Sequence, residues 1–156
     1  MTRSFIYDNM ACQQGKGTDL ARSRIKELLH RAYLKNGSEF YILQCDVKGY
    51  YKNMKHEAVN TSFERRLPPG IYERTEAVLE TQYEGDTGYN PGSQMVQIAG
   101  ISFLDKFDHF VKETLRMKEY MRYIPHCVDA EGGYYLAAYL FNPSLDTFSW
   151  CTEFCL

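Results

Sequence analysis

Apolar residues in the first third of the chain recur at helical spacing and then change period. Leu20, Ile25, Leu28, Leu29, Ala32 and Tyr33 fall mostly on one side of a helix, with Arg22, Arg24, Lys26 and Arg31 interleaved. Residues 4–18 read as an extended or irregular lead-in ending in Gln14-Gly15-Lys16-Gly17-Thr18. Thr18 or Asp19 is the expected N-cap, and Asn36-Gly37-Ser38 the expected stop. The apolar run over residues 39–47 is a strand, carrying Phe40-Tyr41-Ile42-Leu43-Gln44-Cys45 into Asp46.

Helical periodicity resumes downstream. One helix is expected over 56–66, stopped by Leu67-Pro68-Pro69-Gly70, and another over 71–83. Residues 84–92 are rich in turn formers. A long helix follows to Met117, with Ile98, Ile101, Phe103, Leu104, Phe107, Phe110, Val111 and Leu115 as its apolar positions. Tyr120-Met121-Arg122-Tyr123-Ile124 reads as a strand, and residues 133–141 are a candidate partner for it. No internal repeat or low-complexity tract interrupts the pattern.

Composition changes the picture in one respect. With 156 residues, 44% hydrophobic and 24% charged, the chain suits one domain with a real core. No apolar run reaches the ~18 residues of a membrane span. Met1-Thr2-Arg3-Ser4-Phe5 lacks the apolar stretch of a signal peptide, so a cytoplasmic protein away from membranes is expected. Five irregularly spaced cysteines make no disulfide framework, and His126, Cys127, Cys151 and Cys155 fit no standard zinc spacing. The net charge of −2 hides an asymmetry. All 18 Lys and Arg lie in residues 1–124, against 16 acids; residues 125–156 hold four acids and no Lys or Arg. That break divides the chain into a body, 1–124, and a tail, 125–156.

The most telling chemistry is a carboxylate at the end of an apolar strand. Asp46 is followed by Val47 and, four and five residues on, by Tyr50 and Tyr51. Carboxylate oxygens are the hard ligands that Mg²⁺ prefers. Upstream, Gly15-Lys16-Gly17 opens a helix, where glycines permit close approach of a phosphate and Lys16 supplies a charge. Downstream, Gly88-Tyr89-Asn90-Pro91-Gly92-Ser93-Gln94 leads into the long helix, which carries Leu104-Asp105-Lys106-Phe107-Asp108-His109-Phe110-Val111-Lys112. Each piece alone also fits a bland reading: a glycine loop before an exposed basic helix, a solvated strand end with two core tyrosines, a turn before a buried helix.

In this order, with the strand at 120–124, the four segments resemble the bacterial reverse transcriptases. The likeness is nearest to those of diversity-generating retroelements, retrons and group II introns, and covers residues 4–124. It implies an α+β fold: part of the fingers and most of a palm, with a small antiparallel sheet covered by helices on one face. It implies RNA-templated DNA synthesis by two-metal nucleotidyl transfer, with an RNA template, a DNA or RNA primer and a deoxynucleoside triphosphate as partners and Mg²⁺ as cofactor. Asp46 is then the catalytic metal ligand, with the Val47 carbonyl as a further ligand. Lys16, with Arg22 or Arg24, would hold the triphosphate. Tyr51 would be the gate against ribonucleotides, and Gly92, Ser93 and Gln94 would lie against the template and nascent pair. His56 matches a structural position.

The family continues the strand at 120–124 into a turn with two adjacent aspartates. Here Pro125-His126-Cys127-Val128-Asp129 follows, and the pair is missing. Residues 125–156 also contain nothing resembling a thumb. The expectation is therefore a chain with little or no polymerase activity of its own. The alternative is a degenerate palm that binds nucleic acid or a protein partner.

Overall fold

The computed structural model describes residues 5–10, 13–45, 47, 49–90, 92–123 and 137–142. Helix α1, Thr18–Asn36, begins after Gly17 rather than being capped by its own hydroxyl residue. Thr18, an expected N-cap, is already helical, and its Oγ1 lies 2.9 Å from the Tyr123 hydroxyl instead. At the other end Gly37 adopts φ 64°, and its amide donates to Tyr33 O at 2.8 Å. That left-handed position costs glycine no Cβ clash, so the expected stop forms as a glycine C-cap.

The strand expected over 39–47 is β1, Tyr41–Cys45. Gly49, at φ 63°, then turns the chain into a short helix α2, Tyr50–Asn53. Four residues are too few to leave a periodic signal, so α2 is invisible in the apolar pattern. Helix α3, His56–Glu64, and helix α4, Pro69–Gln82, lie close to the expected ranges. Pro69 takes the first turn of α4, where a missing amide hydrogen costs no helix bond.

The expected long helix to Met117 is instead three pieces. Helix α5, Gln94–Phe103, stops at Leu104, whose φ of −96° and ψ of 11° leave the helical region. Helix α6, Asp105–His109, runs into a π-helical turn, Phe110–Thr114. The interruption has a physical partner: Asp105 and Asp108 are both buried, bonded to Arg66 and Arg122. A straight amphipathic helix has no reason to bury two acids, and these two are turned inward to meet cations from other elements.

Strand β2, Tyr120–Tyr123, and strand β3, Ala137–Asn142, complete a three-stranded sheet of order β1-β3-β2. β3 is antiparallel to both neighbours, with Cys45 opposite Ala138 and Tyr120 opposite Leu140. The pairing expected between 133–141 and 120–124 is thus present in its 137–142 part, and that segment also pairs with β1. A piece from beyond the composition break is the middle strand. Residues 8–10 run along the outer edge of β2, through Met10 N to Arg122 O at 2.9 Å and Arg122 N to Asp8 O at 3.0 Å.

Helices do not keep to one face of this sheet, as the resemblance implied. Side chains alternate along a strand, so Tyr120 and Met121 point to opposite sides. Met121 packs with Leu28 and Ala32 of α1, while Tyr120 packs with Val111 and Ile6. Both are buried, so β2 is covered on both faces. A third apolar cluster joins α2, α3, α4 and α5 through Tyr50, Met54, Val59, Phe63, Leu79 and Val96.

Candidate functional site

Asp46, the residue on which the polymerase likeness turns, lies outside the described residues, as do Asp129, Pro91 and the cysteines and histidine weighed as zinc ligands. Its surroundings are described on both sides. Val47 is half-buried and packs against the α2–α5 cluster. Tyr50 is buried, and its hydroxyl donates to Gly100 O at 2.6 Å. Burial pushes the Tyr50 phenol well above its ordinary pKa. Tyr51 is 5% exposed and meets Tyr50 edge-on, with ring centroids 5.3 Å apart. Both tyrosines are buried in the cluster formed by α2, α3, α4 and α5. His56 is structural too: Gly88 O can only accept, so Nε2, 2.7 Å away, carries the hydrogen.

The three cations considered for a triphosphate part company. Lys16 donates from Nζ to Tyr7 O at 2.7 Å and to Asn9 O at 2.8 Å. Burial lowers its pKa, against the opposing pull of Asp8. Arg24 grips both oxygens of Asp8, at 2.5 and 3.2 Å, and reaches Glu27 at 2.6 Å. The Asp8 hydrogen bond, ahead of an opposing burial effect, raises the Arg24 pKa further. Lys16 and Arg24 also share the Tyr7 ring, 5.4 and 5.3 Å from its centroid. They are brought together, but around an internal carboxylate. Arg22 stands apart on the exposed side of α1, with Asp19 at 3.8 Å.

Gly92, Ser93 and Gln94 form the start of α5. Ser93 is its N-cap, accepting from Val96 N at 3.2 Å. Gly92 and Gln94 are exposed, and nothing lies within 4 Å of where a Gly92 Cβ would stand.

Sequence reasoning missed the two buried ion networks. Asp108 accepts from Arg122 Nε at 2.8 Å and Nη2 at 2.6 Å, and from the Tyr120 hydroxyl at 2.6 Å. Arg122 Nη2 also donates to Ile101 O at 2.9 Å. Asp8 is bonded by Lys112 at 2.7 Å as well as by Arg24. Burial works to raise the Asp8 pKa, but these two hydrogen bonds outweigh it and hold the carboxyl below its ordinary value. Nothing in the sequence pairs these residues, since Asp108 sits among Lys106, His109 and Lys112 in a mixed stretch of the expected helix.

A divalent ion of the polymerase kind needs several oxygens around it. Among the described residues, no three His, Cys, Asp or Glu side chains are grouped to hold one. The buried carboxylates Asp8, Asp105 and Asp108 are each matched by Lys or Arg. The aspartate pair that would complete a two-metal site with Asp46 is missing from the sequence after residue 124. No described helix is long and apolar enough to cross a membrane. No protein-family model matches the chain, and no curated protein matches it.

Proposed function

We propose that this chain is a reverse-transcriptase-like fingers-and-palm unit that retains a primer–template-binding scaffold and has lost most or all polymerase chemistry. The supporting observation is the order of the sheet. β1 and β2 are parallel, because β3 lies antiparallel to each between them. The end of β1 that leads into Asp46 and the end of β2 that leads into residue 124 are therefore at the same end of the sheet, with β3 between them. By the resemblance, a metal-binding aspartate ends the first of these strands and an aspartate pair follows the second.

The chemistry fails on the ligand count. One strand-end carboxylate and one backbone carbonyl bind divalent ions poorly. Losing the electrostatic stabilisation of the transferring phosphoryl group costs roughly 10³-fold or more in rate. What remains is binding. Arg22, Lys26 and Lys35 are exposed on α1, and a weak, salt-sensitive hold on RNA or DNA phosphates is the role they suit. That favours the binding-module reading over a working RNA-directed DNA polymerase.

The test combines two readouts on the full chain: capture of a labelled primer on an RNA template at low salt, and extension with deoxynucleotides and Mg²⁺. The expected result is salt-sensitive capture without extension. Robust synthesis that Asp46→Ala abolishes overturns the loss of activity. Absence of both capture and extension overturns the reverse-transcriptase-like reading.

A further inference from the structure

The start of α3, the end of α4 and the loop between α4 and α5 enclose a cleft of about 620 Å³, within the size range of small-ligand sites. Its shape is held by backbone bonds. Lys55 bridges Thr87, His56 N donates to Asp86 O at 2.9 Å, and Gly88 N donates to Met54 O at 2.9 Å. Gly85 and Gly88 turn the loop with φ of 83° and 97°, so it folds back on α3 without strain.

One wall is aromatic. The Tyr89 ring lies 4.5 Å from His56, tilted by 42°, and 4.9 Å from Tyr83, edge-on, centroid to centroid, so three packed rings border the cleft. The rim is acidic. Glu57, Glu80, Glu84 and Asp86 line it against the single cation Lys55. None of these four carboxylates has a hydrogen bond or ion pair from its side chain among the described residues. Deeper in, Asn60 lines the cleft, and its Oδ1 is buried with no hydrogen-bond partner among the described residues. Ring faces attract cations, carboxylates add charge, and an orphaned amide oxygen accepts a hydrogen. The same rim repels phosphate, so this is not a nucleotide site.

We propose that this cleft binds an organic cation, an alkylammonium or guanidinium group, with the Tyr83–Tyr89–His56 wall under its apolar face and the glutamate rim around its charge. Such a group comes either from a free polyamine or from a Lys or Arg side chain of a peptide. The site is independent of the polymerase likeness and stands or falls separately.

Titration calorimetry on the full chain at constant ionic strength, with spermidine and with a tetra-arginine peptide as probes, tests it. Saturable binding of one probe per chain is expected. Spermidine alone binding identifies a free amine as the source, and the peptide alone a side chain. Tyr83→Leu, and separately Glu80→Gln with Glu84→Gln, should each weaken binding roughly fivefold or more. Thr87→Arg, which places a tethered cation at the exposed rim, should abolish it and keeps the test open if Tyr83→Leu does not fold. Binding unchanged in Tyr83→Leu or in Thr87→Arg, with cooperative unfolding intact, overturns the proposal. So does the absence of saturable binding by both probes.

Discussion

Gly100 of α5 lies directly against the ring of Tyr51: a Cβ at position 100 would stand 2.7 Å from the Tyr51 hydroxyl and 2.9 Å from its Cε1. The close approach locks Tyr51 into the core, with Gly100 O accepting from Tyr50 beside it. Gly100→Ala should therefore destabilise the fold by about 1–3 kcal/mol, the usual range for overpacking. Urea unfolding measures it. Gly100→Ala combined with Tyr51→Leu should recover part of the loss, and failure to recover any would mean the ring is not what the new methyl meets.

The Asp108–Arg122 pair predicts a large and asymmetric effect. Both side chains are fully buried. Asp108→Ala strands a guanidinium in the core, at a cost of about 3–5 kcal/mol. Replacing both, Asp108→Leu with Arg122→Met, removes the stranded charge and should unfold at higher urea than Asp108→Ala alone. The comparison of the two midpoints decides whether the loss comes from the uncompensated charge.

Asp8 sets a pH dependence. Its folded pKa lies below the ordinary value of 3.8, held there by Arg24 and Lys112 against burial. A depressed acid contributes stability that is complete above its unfolded pKa and is lost as pH falls through the folded one. Thermal midpoints should thus fall as pH drops below about 4, and Asp8→Asn should flatten that part of the curve while lowering stability at pH 7.

Arg22 and Arg24 separate binding from folding. If α1 tracks phosphates, Arg22→Ala should reduce the salt slope of RNA binding by about 0.7 per lost contact. Arg24→Ala should leave that slope nearly unchanged and lower the unfolding midpoint, because Arg24 is committed to Asp8. Equal slopes for wild type and Arg22→Ala would remove α1 from the binding face.

Local signals in the sequence carried well. The α1 stop at Gly37, the helix end before Pro68 and the strand at 120–123 all follow from neighbours in the chain, whereas α4 starts two residues earlier than expected, at Pro69. What did not carry was long-range. Arg66 and Asp105 are 39 residues apart, Arg24 and Asp8 are 16 apart, and no pattern in either stretch pairs them. Those pairings decide the candidate site, since they draw Arg24 inward and break the long helix. Thr18 shows the same limit at one residue: its hydroxyl suits a cap, yet Tyr123 takes it. The covering of β2 on both faces was equally hidden, because it depends on where α1 packs rather than on its amphipathic pattern.

The central place of β3 has a consequence for the order of assembly. β1 and β2 are not neighbours, so β1 finds its strand partner, and β2 the partner for its second edge, only once synthesis has passed residue 142. A nascent chain thus carries β1 without its strand partner while the residues between 45 and 137 are made. Such late, non-local closure is slow, and an unpaired apolar edge invites other chains. A ribosome-bound chain shorter than this is where chaperone holding should matter most, and the arrival of β3 is what pairs the β1 backbone.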